Sequence, residues 1–361
     1  MQLKEQNILG LYSDTSLQEV ELAFVSTDGL DVIQVENSFN RPYPYELKDK
    51  LLNIEPDQLA DKMDDLNHEV TDFFKALLTE ALAACPTKPA YLAIMGPVIQ
   101  NSVHDKHVVE LGDLAKIATT FSLPTIGHFM QSDLTAGGVG SPLKAVFWET
   151  MAKKQEKPLV VINVGGILKL TYLGPNGEMI GFDVGPGLAL MDEWVFRKTG
   201  QTQDEGGWLS AKGKADEKVV SALLNHPFLR QKPPKSVDRE KFNVLLEQLD
   251  GLSASDGCAT LIAFFKDSLK NAEAFLPARP LSWIITGGGL KNTSLILALK
   301  QAFPHVQKAG DCFDFHEHLN AIGIAFLGAR HLMNLPISLP TTTGVPEALS
   351  VGEVFDPELD K

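Results

Sequence analysis

Apolar and polar positions alternate over two long stretches of the chain, and each stretch reads as a three-stranded meander. The first, from Asn7 to Glu36, runs NILGLY, a polar turn SDTSLQE, VELAFV, a TDG turn and LDVIQV. The second, from Pro158 to Asp183, runs PLVVIN, a VGG turn, ILKLTYL, the tight turn GPNG and EMIGFD. Val, Ile, Leu and Tyr fill the runs, and Gly, Asn and Asp separate them, which is the pattern of strands joined by hairpins.

Helical spacing follows each meander. Leu66, Val70, Phe73, Phe74, Leu77, Leu78 and Leu82 recur at intervals of three and four, so 66–82 reads as a helix with one buried face. The turn CPTKP ends it, and a short strand YLAIMG follows at 91–96. A further helix is expected over 188–198, launched from the GPG at 185–187 and stopped near Gly200. Others are expected over 255–270, over 293–303 after the strand LSWIIT, and over 321–333. QKPPKS at 231–236 reads as a loop, and Trp148 and Trp194 fall in apolar helical patterns that place them in the core. A meander opening each half, with helices behind it, predicts an α/β protein of two domains with related plans.

Composition narrows the partners. A chain of 361 residues suits two domains of ordinary size. Forty-six acidic against 32 basic side chains leave a net charge of −14, which argues against a grip on nucleic acid. No run of roughly eighteen apolar residues is present, so no membrane span is expected. The first residues, MQLKEQNILGLYSD, lack the apolar core of a secretory signal. Cys85, Cys258 and Cys312 are odd in number and far apart, which fits the reducing cytoplasm. Nine histidines give one close pair, His316 and His318; a two-residue gap on a loop is no zinc signature, and no metal ligand is assigned.

Three glycine-rich turns stand directly after apolar strands: NVGGIL at Asn163, FDVGPG at Phe182 and ITGGGLKN at Ile285. Backbone N–H groups of such turns, with a helix start behind them, suit phosphate. Each taken alone reads sooner as an ordinary tight connection; three in one chain tip the balance modestly towards a nucleotide site. No G-x-G-x-x-G opens a helix at Gly287, so a dinucleotide-dependent oxidoreductase is set aside. In HFMQSDLTAGGVGSPL, Asp133 stands at the mouth of a glycine-rich loop. It reads either as a general base facing a ligand or as the cap of the next helix.

Together these segments resemble the anhydro-N-acetylmuramic acid kinases, a branch of the sugar kinase/Hsp70/actin superfamily. The matching pieces, in family order, are SDLTAGGVGSPL, VINVGGILKLTYL, GFDVGPGLALMDEW, DEGGWLSAKG, PPKSVDREKFN, ITGGGLKN and LPTTTG. The resemblance implies a two-domain α/β, ribonuclease H-like fold with an interdomain cleft. The first domain would span 1–127, completed by a tail over 340–361, and the second 128–339. ATP and Mg²⁺ are implied, with Ser13, Thr15 and Ser16 in a first phosphate hairpin and Asn163, Gly165 and Gly166 in a second. Asp183, Gly185 and Gly187 would lie beside the second, and Gly287, Gly288, Gly289 and Asn292 would hold adenosine. The implied reaction opens the internal anhydro bridge of the sugar with water and moves the γ-phosphoryl group of ATP to the 6-oxygen, in cell-wall recycling. Asp133 matches the aspartate that activates the water, and Gly96 and Asn320 fall on the sugar side. A cytoplasmic enzyme is implied, and dimerisation is usual in that family.

Some positions depart from the family pattern. Its first hairpin reads SGTS-x-DG-x-D, where this chain has Ser13, Asp14, Thr15, Ser16, Leu17, Gln18, Glu19, Val20 and Glu21. Asp14 replaces a glycine next to phosphate, Gln18 a metal-associated aspartate and Glu19 a second glycine. The SHGQT signature becomes Ile94, Met95, Gly96, Pro97 and Val98, a glutamate of the last helix becomes Asn320, and an arginine before Asp133 becomes Ser132. Transition-state stabilisation rests on many aligned contacts at once, so these changes predict attenuated activity or a non-catalytic, ligand-binding paralogue. Glu19 or Glu21 taking over metal duty is the alternative.

Overall fold

The structure, a computed structural model, describes residues 4–13, 16–52, 54, 59–85, 87–315 and 317–358. Its strands are β1 (Gln6–Ser13), β2 (Glu19–Thr27), β3 (Ile33–Pro42), β4 (Tyr91–Met95), β5 (Val98–Ser102), β6 (His107–Glu110) and β7 (Thr125–Gly127). They continue as β8 (Leu159–Val164), β9 (Ile167–Leu173), β10 (Met179–Pro186), β11 (Ser282–Thr286), β12 (Val306–Lys308) and β13 (Glu353–Phe355). The chain divides into two units, one of 1–150, 315–340 and 344–361, the other of 151–314 and 341–343.

In the first unit the sheet order is β13-β7-β4-β1-β2-β3. The expected meander β1–β2–β3 is antiparallel, and β4 and β7 then run parallel to β1. One face carries Leu9, Leu11, Leu22 and Phe24 against Val70, Phe74 and Leu78 of the helix Leu59–Ala84, in a single buried cluster. The opposite face receives the helix Leu319–Leu332, and Gly10 lets it come close. A Cβ on Gly10 would collide with the carbonyl oxygen of Ala321 and stand 3.1 Å from the Ala325 methyl.

The second unit repeats this plan. Its sheet order is β10-β9-β8-β11-β12, an antiparallel meander with β11 parallel to β8 and β12 parallel to β11. The helix Ala254–Ala272 starts where the Ser253 side chain accepts from the Asp256 N–H (3.1 Å), and it buries Cys258, Leu261, Phe264, Phe265 and Leu269. Trp194 of the helix Leu188–Thr199 joins that core, its indole N–H donating to the Ala254 carbonyl at 3.1 Å. Trp148 is equally buried in the first unit.

Where the sequence reading drew the domain change at 127 and gave 128–339 to the second domain, tertiary contacts draw it at 150 and keep 315–340 with the first unit. The physical reasons are local. Ser338 reaches back to Asp133, and Phe147 packs on Phe326 of the Leu319–Leu332 helix with ring centres 5.7 Å apart. No helix among the described residues is long and apolar enough to cross a membrane.

Candidate active site

Three of the parallel strands in the first unit end at one edge, and the sequence-predicted residues of that unit follow those ends. Ser13 closes β1, Gly96 follows β4, and the helix Phe129–Thr135, which carries Asp133, follows β7. Carboxyl ends of parallel strands are where α/β proteins place ligands. The Ser13 hydroxyl is buried and shares a 2.7 Å hydrogen bond with the Tyr43 hydroxyl. Thr15 and Asp14 lie outside the described residues. Ser16 stands just beyond them, followed by Leu17, whose side chain is anchored in the core although its φ of +52° is unusual for a leucine. Gln18 accepts from the Lys48 ammonium at 2.7 Å, and Glu19 accepts from the Asn40 amide at 2.6 Å.

Glu21 lies directly across the ladder from Tyr12. Its carboxylate receives the Asn320 N–H at 3.0 Å, the Asn320 amide at 2.8 Å and the Ala321 N–H at 3.3 Å, all at the start of the Leu319–Leu332 helix. The Lys144 ammonium donates to the Asn320 oxygen and sits 4.4 Å from the centre of the Tyr12 ring. Burial pushes the Glu21 carboxyl above its ordinary range, against the opposing pull of Asn320 and Lys144. Asn320 therefore ties helix to hairpin. Lys144 carried no signal in the pattern of the chain.

Asp133 is fully buried. The Gly140 N–H donates to its Oδ1 at 2.6 Å and the Ser338 hydroxyl donates to its Oδ2, so the glycine loop folds back over the carboxylate and fixes its plane. These two bonds tie the aspartate to the glycine loop and to the segment at Ser338. The N–H of Gly96 is occupied: it donates to Glu110 Oε1 at 2.8 Å, and a Cβ there would collide with the Leu111 carbonyl. Sequence reasoning missed Glu110, whose carboxyl is pushed up to about 7 by burial, with the Gly96 N–H and His128 pulling it back.

In the second unit the three glycine turns meet. They follow β8, β10 and β11 at one edge of the sheet. Gly187 N–H donates to the Gly166 carbonyl and Leu188 N–H to the Gly165 carbonyl, both at 2.9 Å. A Cβ on Gly187 would stand 2.5 Å from Gly165 O, and one on Gly287, at φ +85°, 2.5 Å from Asn163 Oδ1. Gly289 packs against Val164, whereas Gly288 is exposed, with only a Leu188 methyl 3.5 Å from its absent Cβ. Gly185 is buried at the end of β10, past a bulge in its pairing with β9. The buried Asp183 carboxylate accepts from Lys169 (2.9 Å), the Ser236 hydroxyl (3.1 Å) and the Val237 N–H (3.1 Å), tying the PPKS loop to the sheet. Asn292 caps the helix Thr293–Ala302 by accepting from the Leu295 N–H at 3.0 Å, and its amide reaches Asp204 of the DEGG loop at 3.4 Å. An exposed glycine crest on a locked set of turns, with a capped helix behind it, fits a nucleotide.

Mg²⁺ fits on different terms. Among the described residues no group of three or more His, Cys, Asp or Glu is placed to hold a metal ion. Glu19 and Glu21 accept from Asn40 and Asn320, and the buried Asp183 from Lys169. Mg²⁺ needs only one or two carboxylates when phosphates and water supply the rest. A nucleotide-borne ion is compatible with this donor set.

A family model described as anhydro-N-acetylmuramic acid kinase matches residues 6–357. The anhydro-N-acetylmuramic acid kinase of Rhodospirillum rubrum is 33% identical over 352 residues, covering 95% of this chain and 92% of that protein. That of Acidiphilium cryptum is 34% identical over 355 residues, covering 97% and 98%. Similarity at this level and coverage runs through both units.

Proposed function

The chain belongs to the anhydro-N-acetylmuramic acid kinase family, and from that membership we propose that it is an ATP-dependent kinase of an anhydro amino sugar, serving cell-wall recycling in the cytoplasm. The observation that carries the reading is the gathering of the turns at 163–166, 185–187 and 287–289 on one sheet edge, with Gly288 open at the crest. ATP with its Mg²⁺ supplies the γ-phosphoryl group; the crest at Gly288 and the turn at Gly165 and Gly166 would hold it. Asp133 accepts the proton of the water that adds to the anomeric carbon, the bridge bond from that carbon to the 6-oxygen breaks, and the freed oxygen becomes the phosphoryl acceptor. Gly140 and Ser338 support this role by holding the carboxylate in one plane, which is what positioning a weak nucleophile requires.

Release of ADP that needs the anhydro sugar, measured in a coupled assay, tests the proposal. Asp133→Asn should lower kcat by about 10²–10⁴-fold while leaving nucleotide binding in place. A chain that releases no sugar-dependent ADP removes it.

A second reading, a ligand-binding paralogue with little turnover, draws support from the Glu21–Asn320–Lys144 cluster at the foot of the hairpin and from Glu110 on the Gly96 N–H. Calorimetric titration separates the two: binding without turnover favours the paralogue, and turnover at ordinary kinase rates excludes it.

A further inference from the structure

Three of the four tryptophans are buried in the cores, Trp148, Trp194 and Trp283, whereas Trp208 leaves 69% of its surface in water. One exposed aromatic ring is ordinary by itself. This one is held in place. Gly206 and Gly207, at φ +61° and +80°, turn the chain sharply just before it. Just after it, the buried Asp204 carboxylate accepts from the Leu209 N–H at 2.7 Å and the Ser210 N–H at 3.1 Å. The indole is thereby carried on a fastened turn at the start of the helix Trp208–Lys212.

That turn is tied in its own right to the glycine crest. The Ser294 hydroxyl donates to the Gly207 carbonyl at 3.0 Å, and a Cβ on Gly207 would stand 2.6 Å from Asn292 Oδ1. Asn292 and Ser294 come directly after the turn Gly288–Lys291, against which the turn Glu205–Gly207 packs. The loop that carries Trp208 therefore lies beside the crest that carries the open Gly288. Leu297, three positions beyond Ser294 and so on the same face of the helix Thr293–Ala302, is 56% exposed. Lys212 Nζ lies over the indole, 5.6 Å from its centre, and covers one side of it. Phosphate gains nothing from an apolar ledge of this kind. A flat, uncharged ring does, because every nucleobase has a π-face to stack on an aromatic side chain.

We propose that Trp208 stacks on the base of the nucleotide whose phosphates the glycine turns hold, and that it makes the site favour purine over pyrimidine nucleotides. The inference rests on the kinase reading and deepens it, by naming the class of phosphoryl donor. Trp208 is a specificity residue: it touches the base and none of the reacting atoms. A purine overlaps the indole more fully than a pyrimidine does, and that difference in stacked area is what the site reads.

The test is calorimetry on the full chain with Mg-ATP, Mg-CTP and magnesium tripolyphosphate, which has the phosphates and no base. The native chain should bind ATP at least about tenfold more tightly than CTP. Trp208→Ala should weaken ATP about tenfold, bring ATP and CTP within about threefold of each other, and leave tripolyphosphate within about twofold of the native value. Trp208→Phe keeps a ring and should keep most of the preference; Trp208→Leu keeps apolar bulk and should lose it. In the native chain, acrylamide quenching of tryptophan fluorescence should fall when ATP saturates the site, because Trp208 is the ring that the quencher reaches. Unchanged ATP affinity in Trp208→Ala, an unchanged ATP-to-CTP ratio in Trp208→Leu, or quenching that ATP does not alter overturns the inference. Sugar-dependent ADP release is read separately. ATP turnover that is indifferent to Trp208 removes the inference and leaves the kinase reading. A purine preference that depends on Trp208, without sugar-dependent ADP, leaves the inference and removes the kinase reading. Binding of no nucleotide at all removes both.

Discussion

Lys235 is an ammonium group enclosed by aromatic rings. It is buried, it donates to the Phe228 carbonyl at 3.0 Å, and the rings of Phe228, Phe275 and Phe182 stand 4.5, 5.4 and 5.8 Å away. Burial lowers its pKa from 10.5 to about 8, and the Asp183 charge opposes the shift. The sign follows from linkage. Between about pH 8 and 10.5 the unfolded chain holds this proton and the folded chain does not, so stability rises with pH across that window. Denaturant melts of the native chain should show that rise, on the order of 2–3 kcal/mol, and Lys235→Met should flatten it. A native chain with no rise, or a variant that keeps it, contradicts this account. A local motif was legible in the sequence where small residues framed it, as with the glycine loop whose Gly140 N–H meets Asp133. Glu110 and Lys144 were not, because their meaning comes from Gly96, 14 positions away, and Asn320, 176 positions away.

The glycine turns separate two uses of one residue type. Gly187 is forced by its neighbours, whereas Gly288 has room and faces solvent. Gly187→Ala should destabilise the second unit by about 2–4 kcal/mol, because a Cβ 2.5 Å from Gly165 O drives two turns apart. Gly288→Ala should leave the melting midpoint unchanged within about 0.5 kcal/mol and weaken ATP binding at least about tenfold, since a methyl there occupies the surface on which a nucleotide would lie. Equal ATP affinity in Gly288→Ala would remove the crest from the nucleotide site. Both meanders were readable because alternation and turn chemistry agree over many residues. The β5–β6 hairpin was not, because its strands VIQNS and HVVE are short and the polar run VHDK parts them. That hairpin carries Glu110, so the least legible element holds the residue that the sequence reading lacked.

Each of the two units has its own sheet and its own core, and the first is assembled from three separate stretches of chain. Its Leu319–Leu332 helix arrives late in the chain and covers the Gly10 face of β1 and β2. Ending the chain after Asp314 should therefore abolish hydrogen-exchange protection in β1, β2 and β4 and leave it in β8, β9 and β11, whose unit loses only 341–343. Retained protection in β1 would show that the early residues fold without the helix. The two-domain α/β plan was legible because each meander announces itself locally. The boundaries were not, because they depend on contacts that join residues 133 and 338, far apart in the chain.

The seat of that helix on Gly10 also sets which changes the protein can accumulate over time. Helix and strand touch there through a carbonyl oxygen, which no rotamer change can move aside, so every side chain at position 10 is excluded, alanine included. Natural variants of this chain are expected to keep one codon class at that point whatever becomes of the hairpin tip, and a saturation library read by survival would find a single tolerated residue at position 10, between the buried Leu9 and Leu11, where other apolar side chains are expected to be tolerated.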